Sequence, residues 1–275
     1  MDGLKTKEDR RFQTFWVIFF ILISVIAIIP VLRVISISFS GRDAINKGQV
    51  FIFPIGFNVD AYAKALKSGT FVSSFGYSII LMAVVTAVDM IMTILLAYPL
   101  SRKGLKGSKI VNLFCVITMY LNLGTIPNYL NIKSFGMIDT VWALIIPGAL
   151  SVYNMIIMRT AFASIDDSLY EAARIDGCDE KKTMRYITLP LMAGTFTICF
   201  FLAISRAFVT YDVNISLTQG GPFNSTRLAA MYVYNMAFSA KEYGLGQAEA
   251  LILFLVIAVI SISQAVMGKR KEVEA

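Results

Sequence analysis

The sequence predicts an all-α, polytopic membrane protein with six transmembrane helices and both termini in the cytoplasm. Its 275 residues are 57% hydrophobic and 16% charged, against roughly 25% charged in soluble domains. Mean hydropathy is +0.69. Apolar runs of about 20 residues, long enough to cross a bilayer, recur along the chain. Basic residues fall mainly on one side of those runs. So few charges cannot give a water-exposed surface its normal charge density, which excludes a soluble globule.

The elements follow in order. Residues 1–11 form a charged cytoplasmic N-terminus, and residues 12–39 the first span. Between Phe12 and Leu32, 17 of 21 residues are apolar, with Pro30 and Arg33 near the far end. This start resembles a signal peptide, but the apolar run is too long and no small-x-small cleavage site follows, so an uncleaved anchor is expected. Residues 40–70 form an external segment. Residues 71–267 form a five-span core. Its spans are expected at about 71–100, 110–123, 140–158, 191–213 and 248–267. The second span holds Asp89 inside, and the fourth holds Pro147 and Gly148 in its middle. A cytoplasmic loop, 159–190, lies within this core, with a second external segment at 214–248. Residues 268–275 form a cytoplasmic tail. Neither external segment is long enough for an independent domain.

Lysine and arginine fix the orientation. Sixteen lie in the N-terminus, 101–109, 159–190 and the tail, against seven on the other face. The positive-inside rule places the richer face in the cytoplasm. The net charge of +7 therefore reads as topogenic charge facing a lipid bilayer, and no nucleic-acid partner is expected.

Composition also removes most chemistry. There is no histidine, which excludes Ser-His or Cys-His catalysis and histidine metal sites. Cys115, Cys178 and Cys199 are too few and too scattered for a zinc site or a disulfide framework. No G-x-x-x-x-G-K-[ST] run offers a cradle for ATP phosphates. No catalytic residue, metal or cofactor is expected in this chain.

Loop 159–190 is polar, rich in helix formers and interrupted once by glycine. Asp166, Asp167 and Ser168 are plausible N-caps. Leu169, Ala172 and Ala173 make a narrow apolar stripe at i, i+3, i+4. Gly177 can adopt positive φ and stop the helix. A second helix is expected from Asp179 toward Tyr186, ending at Leu189-Pro190. Such a helix–turn–helix along the cytoplasmic face offers small alanines for close approach and Glu171 for a charged contact. A solvated amphipathic loop with no partner fits the periodicity equally well.

The spacing adds to this. The run from Glu171 to Leu191, EAARIDGCDEKKTMRYITLPL, resembles the EAA loop of ATP-binding-cassette importer permeases. Glu171, Ala172, Ala173, Gly177, Ile187, Leu189 and Pro190 stand at the family spacing, with Asp176 beside the glycine. The likeness extends further. Ala97-Tyr98-Pro99-Leu100-Ser101-Arg102 looks like the end of the second span in sugar importers of the maltose-permease kind. Thr140-Val141-Trp142-Ala143-Leu144 matches the start of their fourth. Leu217-Thr218-Gln219-Gly220-Gly221-Pro222, with Ser225-Thr226, Tyr232-Val233-Tyr234 and Ala237-Phe238, is similar to one of the two permease subunits. Residues 217–238 look like the first-permease type and the first two-thirds like the second, so both roles stay open.

The resemblance implies a type I ABC importer permease fold with no bond chemistry of its own. It implies a second permease subunit in a heterodimer and two copies of a cytoplasmic P-loop ATPase carrying ATP and Mg. It also implies an extracytoplasmic solute-binding protein that delivers substrate, and a place in the inner or plasma membrane. The loop would be the coupling helix docking into the ATPase.

Candidate pathway residues are Asp89, Tyr120, Asn122, Tyr153, Asn154 and Arg206. Asp89 lies near mid-membrane, where a charge needs a partner, a proton or a polar cavity. It suits sugar hydroxyls, or hydrogen bonding to a neighbouring span. Tyr120, Asn122, Tyr153 and Asn154 suit carbohydrate, but aromatics in spans also serve packing. Arg206 lines an outer mouth or snorkels to the interface. The rival readings are an ABC permease for a non-sugar solute, an ion-coupled carrier, a membrane enzyme using Ser-Lys or paired aspartates, and a non-transporting scaffold. A carrier would place several ionisable groups at mid-membrane, where the sequence offers Asp89.

Overall fold

A computed structural model describes residues 7–102, 104–121, 124–208, 211–221 and 226–269. Among them the regular elements are all helical. In order these are α1 (Lys7–Ser38), α2 (Arg42–Asn46), α3 (Asp60–Lys67), α4 (Gly69–Ser101), α5 (Ser108–Tyr120), α6 (Thr125–Ser134), α7 (Trp142–Ile145) and α8 (Val152–Ser164). Then come α9 (Asp167–Ile175), α10 (Glu180–Thr183), α11 (Leu189–Leu191), α12 (Ala193–Phe208), α13 (Tyr211–Leu217), α14 (Ala229–Tyr234) and α15 (Tyr243–Lys269).

Among the described residues, three helical stretches are long and apolar enough to cross a membrane: Phe12–Ser38, Gly69–Ser101 and Tyr243–Gly268. Two bent pairs pass the same test together. Trp142–Gly148 with Val152–Ser164 bends by 44°, and Glu180–Leu191 with Ala193–Ala207 by 73°. Length and composition therefore support three to five spans.

The segment expected to cross at 110–123 differs. α5 has 13 residues, about 20 Å at 1.5 Å per residue, short of a hydrocarbon core of about 30 Å. Gly124 follows at φ +78° before α6 begins. The segment expected at 140–158 is interrupted where Pro147 and Gly148 fall in a 3₁₀ turn. Its second half runs on to Ser164. The last helix starts at Tyr243 rather than Ala248.

The chain divides into two units. One holds the residues up to Gly69 together with Val233–Ile252. Here the end of α1 is pinned by its serines. Ser36 donates to the Ile52 carbonyl, Ser38 shares a 2.7 Å hydrogen bond with the Tyr62 hydroxyl, and Ser40 accepts from Ile55 N–H at 3.1 Å. Phe39 lies between Phe57 and Tyr62, with ring centroids 5.4 and 4.9 Å away. Gly246 is required by close approach, since a Cβ there would stand 2.7 Å from that of Ala237. Further back, α1 is exposed from Phe12 through Ile28.

The other unit holds Thr70–Tyr232 and the residues from Leu253 onward. Its main core joins α4, α8 and α12 through Ala97, Leu100, Met155, Met158, Phe162, Met192 and Cys199. A second cluster sets Leu81 against Leu144, Ile145 and Leu228. Lipid tails are as apolar as leucine, so burial gives little drive between spans, and close packing with interhelical hydrogen bonds carries the association. α4 is built for this, burying Ser74, Ser78, Thr86, Asp89 and Thr93 along one side.

Candidate functional site

The loop 159–190 is organised by its own short-range bonds. Asp166 has extended backbone, and its carboxylate accepts the Ser168 N–H at 3.0 Å, capping α9. Asp167 in the first turn and Arg174 in the last complement the helix dipole. The helix closes with paired bonds. Cys178 N–H donates to the Ala173 carbonyl at 2.9 Å and Gly177 N–H to the Arg174 carbonyl at 3.1 Å. This ending needs a left-handed residue after the cap, and Gly177 supplies it at φ +73°. Nothing lies within 4 Å of where its Cβ would be, so conformation alone reserves the position for glycine. Asp179 then caps α10, accepting the Lys182 N–H at 2.7 Å.

Beyond α10 the helix runs through Leu189-Pro190 and ends at Leu191, one residue past the expected stop. A π-helical turn, Met184–Thr188, carries it into α11, and the 73° bend comes at Met192. Proline lacks an N–H and its ring crowds the carbonyl four residues back. A π turn widens the register there and accommodates it.

Of the expected apolar stripe, Ala173 is buried while Leu169 and Ala172 are exposed. Glu171, Asp176, Gly177, Leu189 and Pro190 are exposed too, and Ile187 is half-buried. Ile175 is 86% exposed. It lies three and four residues beyond Ala172 and Glu171, which puts it on their face of the helix. That spacing was readable in the sequence. The loop thus presents Glu171, Ala172 and Ile175 outward from a well-capped helix.

Behind this helix lies a cavity of about 560 Å³, lined by Tyr98, Arg102, Tyr170, Arg174, Asp179 and Thr188 among others. The Arg102 guanidinium sits 4.1 Å from the Tyr170 ring centre and 4.8 Å from that of Tyr98. Its Nη2 donates to the Tyr98 hydroxyl at 2.9 Å. Partial burial is the largest single influence on this group and lowers its pKa. The Tyr98 hydrogen bond and the Tyr170 and Tyr98 neighbours together outweigh it, and the net shift is upward. Arg159 Nε donates to the Leu100 carbonyl at 3.0 Å, fixing α8 to the end of α4.

The candidate pathway residues separate. Asp89 and Asn154 come together, 3% and 1% exposed. The Asp89 carboxylate accepts from Ser151 N–H at 2.7 Å, from Asn154 Nδ2 at 3.2 Å and from Thr93 Oγ1 at 3.4 Å. Asn154 Nδ2 also donates to the Cys199 carbonyl at 3.4 Å. The cluster thus joins α4, the restart of α8 and α12 around the break after Gly148. Tyr120, Tyr153 and Arg206 are exposed and are not drawn to it. Asn122 lies outside the described residues, as do Pro222, Ser225 and the tail from residue 270.

Glu249 carries a second fully buried carboxylate, 0% exposed, with both oxygens lacking a hydrogen-bond partner. Sequence reasoning passed over it because it stood at the edge of the expected last span. In the structure α15 begins at Tyr243, five residues before the expected start.

The family model described as binding-protein-dependent transport system inner membrane component matches residues 77–273. Protein LplC of Bacillus subtilis is 36% identical over 206 residues, covering 74% of this chain and 70% of that protein. The polygalacturonan/rhamnogalacturonan transport system permease protein YtcP of Bacillus subtilis is 33% identical, covering 72% and 70%. Among solved structures, a chain of a bacterial ABC transporter involved in the import of the acidic polysaccharide alginate has a similar fold. Its TM-score is 0.80 at 23% identity, covering 96% of this chain and 98% of that one.

Proposed function

The chain belongs to the family of binding-protein-dependent transport system inner membrane components, and from that premise we propose that it is the permease subunit of an ATP-driven importer for sugars or oligosaccharides. It is a multi-pass membrane transport component and not an enzyme. In the proposed arrangement six spans place both termini in the cytoplasm of a cell whose inner or plasma membrane holds the protein. A second permease, two P-loop ATPases binding ATP and Mg, and an extracytoplasmic solute-binding protein complete the machine.

The observation that carries this reading is the exposed, capped helix α9. It shows Glu171, Ala172 and Ile175 outward on a loop of the face expected to be cytoplasmic. ATP binding would draw the two ATPase subunits together and move this helix, rocking the spans between inward- and outward-open states. A partner shifts that equilibrium only if it binds the two states with different affinity, and the α9 surface supplies the contact. Carbohydrate as cargo is supported by the polygalacturonan/rhamnogalacturonan permease at 33% identity. A permease for a non-sugar solute would use the same loop.

The ion-coupled carrier draws on the two buried carboxylates, Asp89 and Glu249. Asp89 is already hydrogen-bonded within its own chain, which favours a structural task over ion binding. Tagging this chain, extracting it gently from the membrane and identifying what co-purifies tests the assignment. A second permease and a P-loop ATPase in about 1:1:2 proportion are expected. Recovery of the chain alone, with no ATP hydrolysis stimulated by any sugar, overturns it.

A further inference from the structure

The stretch Tyr98–Arg102 closes α4, and the docking of α9 onto an ATPase gives it no task. Its geometry supplies one. Tyr98 and Arg102 are four residues apart and share a helix face. The guanidinium lies against two rings, that of Tyr98 on its own segment and that of Tyr170 on α9. Tyr170 is the residue before Glu171, and its hydroxyl accepts from Thr188 Oγ1 at 3.4 Å. Thr188 is 1% exposed and stands in the π turn leading to the bend at Met192. One tyrosine on the loop therefore touches the end of one span and the approach to another. Next to these contacts the 560 Å³ cavity leaves α9 space to move.

We propose that Arg102 is a positioning residue for energy coupling: it ties the cytoplasmic end of α4 to the loop helix through the Tyr98–Arg102–Tyr170 sandwich, so that displacement of α9 is passed to α4 and, through Tyr170 and Thr188, to α12. This rests on the reading of α9 as the ATPase-docking helix. Cation–π attraction suits such a joint. A guanidinium is always charged and stacks on aromatic faces, so it holds the two elements together. The cavity on its own carries no ligand site, because Asp179 and Glu180 face the same space as Arg102 and Arg174.

The test uses the full transporter, purified with its ATPase and reconstituted in vesicles. It compares wild type with Arg102→Gln, Arg102→Lys, Tyr170→Leu, Tyr170→Phe and the Arg102→Gln/Tyr170→Leu double variant. The readout is the ratio of ATP hydrolysis with binding protein and transported sugar to hydrolysis without them. Arg102→Gln and Tyr170→Leu are each expected to lower that ratio about fivefold or more, within the usual range of coupling between sites. Arg102→Lys, which keeps the charge but not the planar face, and Tyr170→Phe, which keeps the ring but loses the hydroxyl that accepts from Thr188, are each expected to restore part of it. The double variant is expected to be no worse than the weaker single one, since both remove the same contact. A wild-type ratio in Arg102→Gln, or losses that add in the double variant, overturns the proposal. If Arg102→Gln fails to assemble, a wild-type ratio in an assembled Tyr170→Leu complex overturns it equally. Absence of any ATPase from the wild-type complex would instead defeat the functional assignment beneath it.

Discussion

Two of the membrane segments are broken, and the breaks are built differently. The first, after Gly148, bends by 44° and is clamped. The first turn of α8 would leave its N–H groups without partners, and the Asp89 carboxylate on α4 takes that of Ser151 at 2.7 Å while also holding Asn154. The second, at Met192, bends by 73° and rests on packing. Met192 is 1% exposed among apolar neighbours, and the bonds across the bend run between main-chain groups, Met192 N–H to Thr188 and Phe196 N–H to Met192. A hydrogen bond to a buried side chain fixes direction. Apolar packing fixes distance and tolerates a change of angle. The clamped break is a joint set by the fold, whereas the packed one adjoins the loop where force would enter.

Removing the clamp should have the largest effect. Asp89→Leu leaves the Ser151 N–H unpaired in an apolar interior, at a cost of about 1–3 kcal/mol, and leaves the Asn154 amide only its 3.4 Å bond to the Cys199 carbonyl. A marked fall in thermal stability in detergent is expected; a wild-type unfolding temperature would end the contrast between the two breaks. Asp89→Asn retains one acceptor for Ser151 and should still assemble. Unchanged uptake in that variant makes Asp89 purely structural, and lost uptake in an assembled complex returns it to the pathway.

Gly177→Asp and Gly177→Asn come next. Both residues tolerate positive φ better than other side chains do, and both have open space, so the helix ending should survive. Either adds a Cβ to the proposed docking face, and sugar uptake should drop about tenfold with the chain still recovered from the membrane. Normal uptake by Gly177→Asp would show that this turn is not where the ATPase sits.

At the packed break, Pro190→Ala restores an N–H and relieves the crowding that the π turn accommodates. Stability should change by less than about 1 kcal/mol, while sugar-stimulated ATP hydrolysis falls severalfold. Equal loss of stability at both breaks would make them the same kind of joint. Tyr120→Phe and Tyr153→Phe should do least, within about 0.5 kcal/mol in stability because both side chains are exposed. A change in apparent sugar affinity in either would place it on the pathway.

Much of the loop was legible because its determinants are local. Asp166, Gly177 and Asp179 act on backbone groups within five residues, and such spacing is written in the sequence. Pro147 and Gly148 likewise marked a weak point in their span. The clamp was not legible as a geometry, because Ser151 meets Asp89 from 62 positions away. The polar side of α4 is its packed face, whereas α1, with even higher hydropathy, is exposed from Phe12 through Ile28. The π turn stayed hidden because it depends on how Pro190 is accommodated in three dimensions. Glu249 was hidden by a boundary set too late. Arg102 was hidden because its second ring, Tyr170, comes from another loop.

The most direct measurement is uptake of labelled oligosaccharides, neutral and uronic-acid types in parallel, into vesicles containing the purified complex with its binding protein outside and ATP inside. Uptake is expected to require ATP, to be indifferent to proton and sodium gradients, and to fall about tenfold with Gly177→Asp. Uptake driven by an ion gradient in the absence of ATP would contradict the assignment and move the ion-coupled carrier into its place.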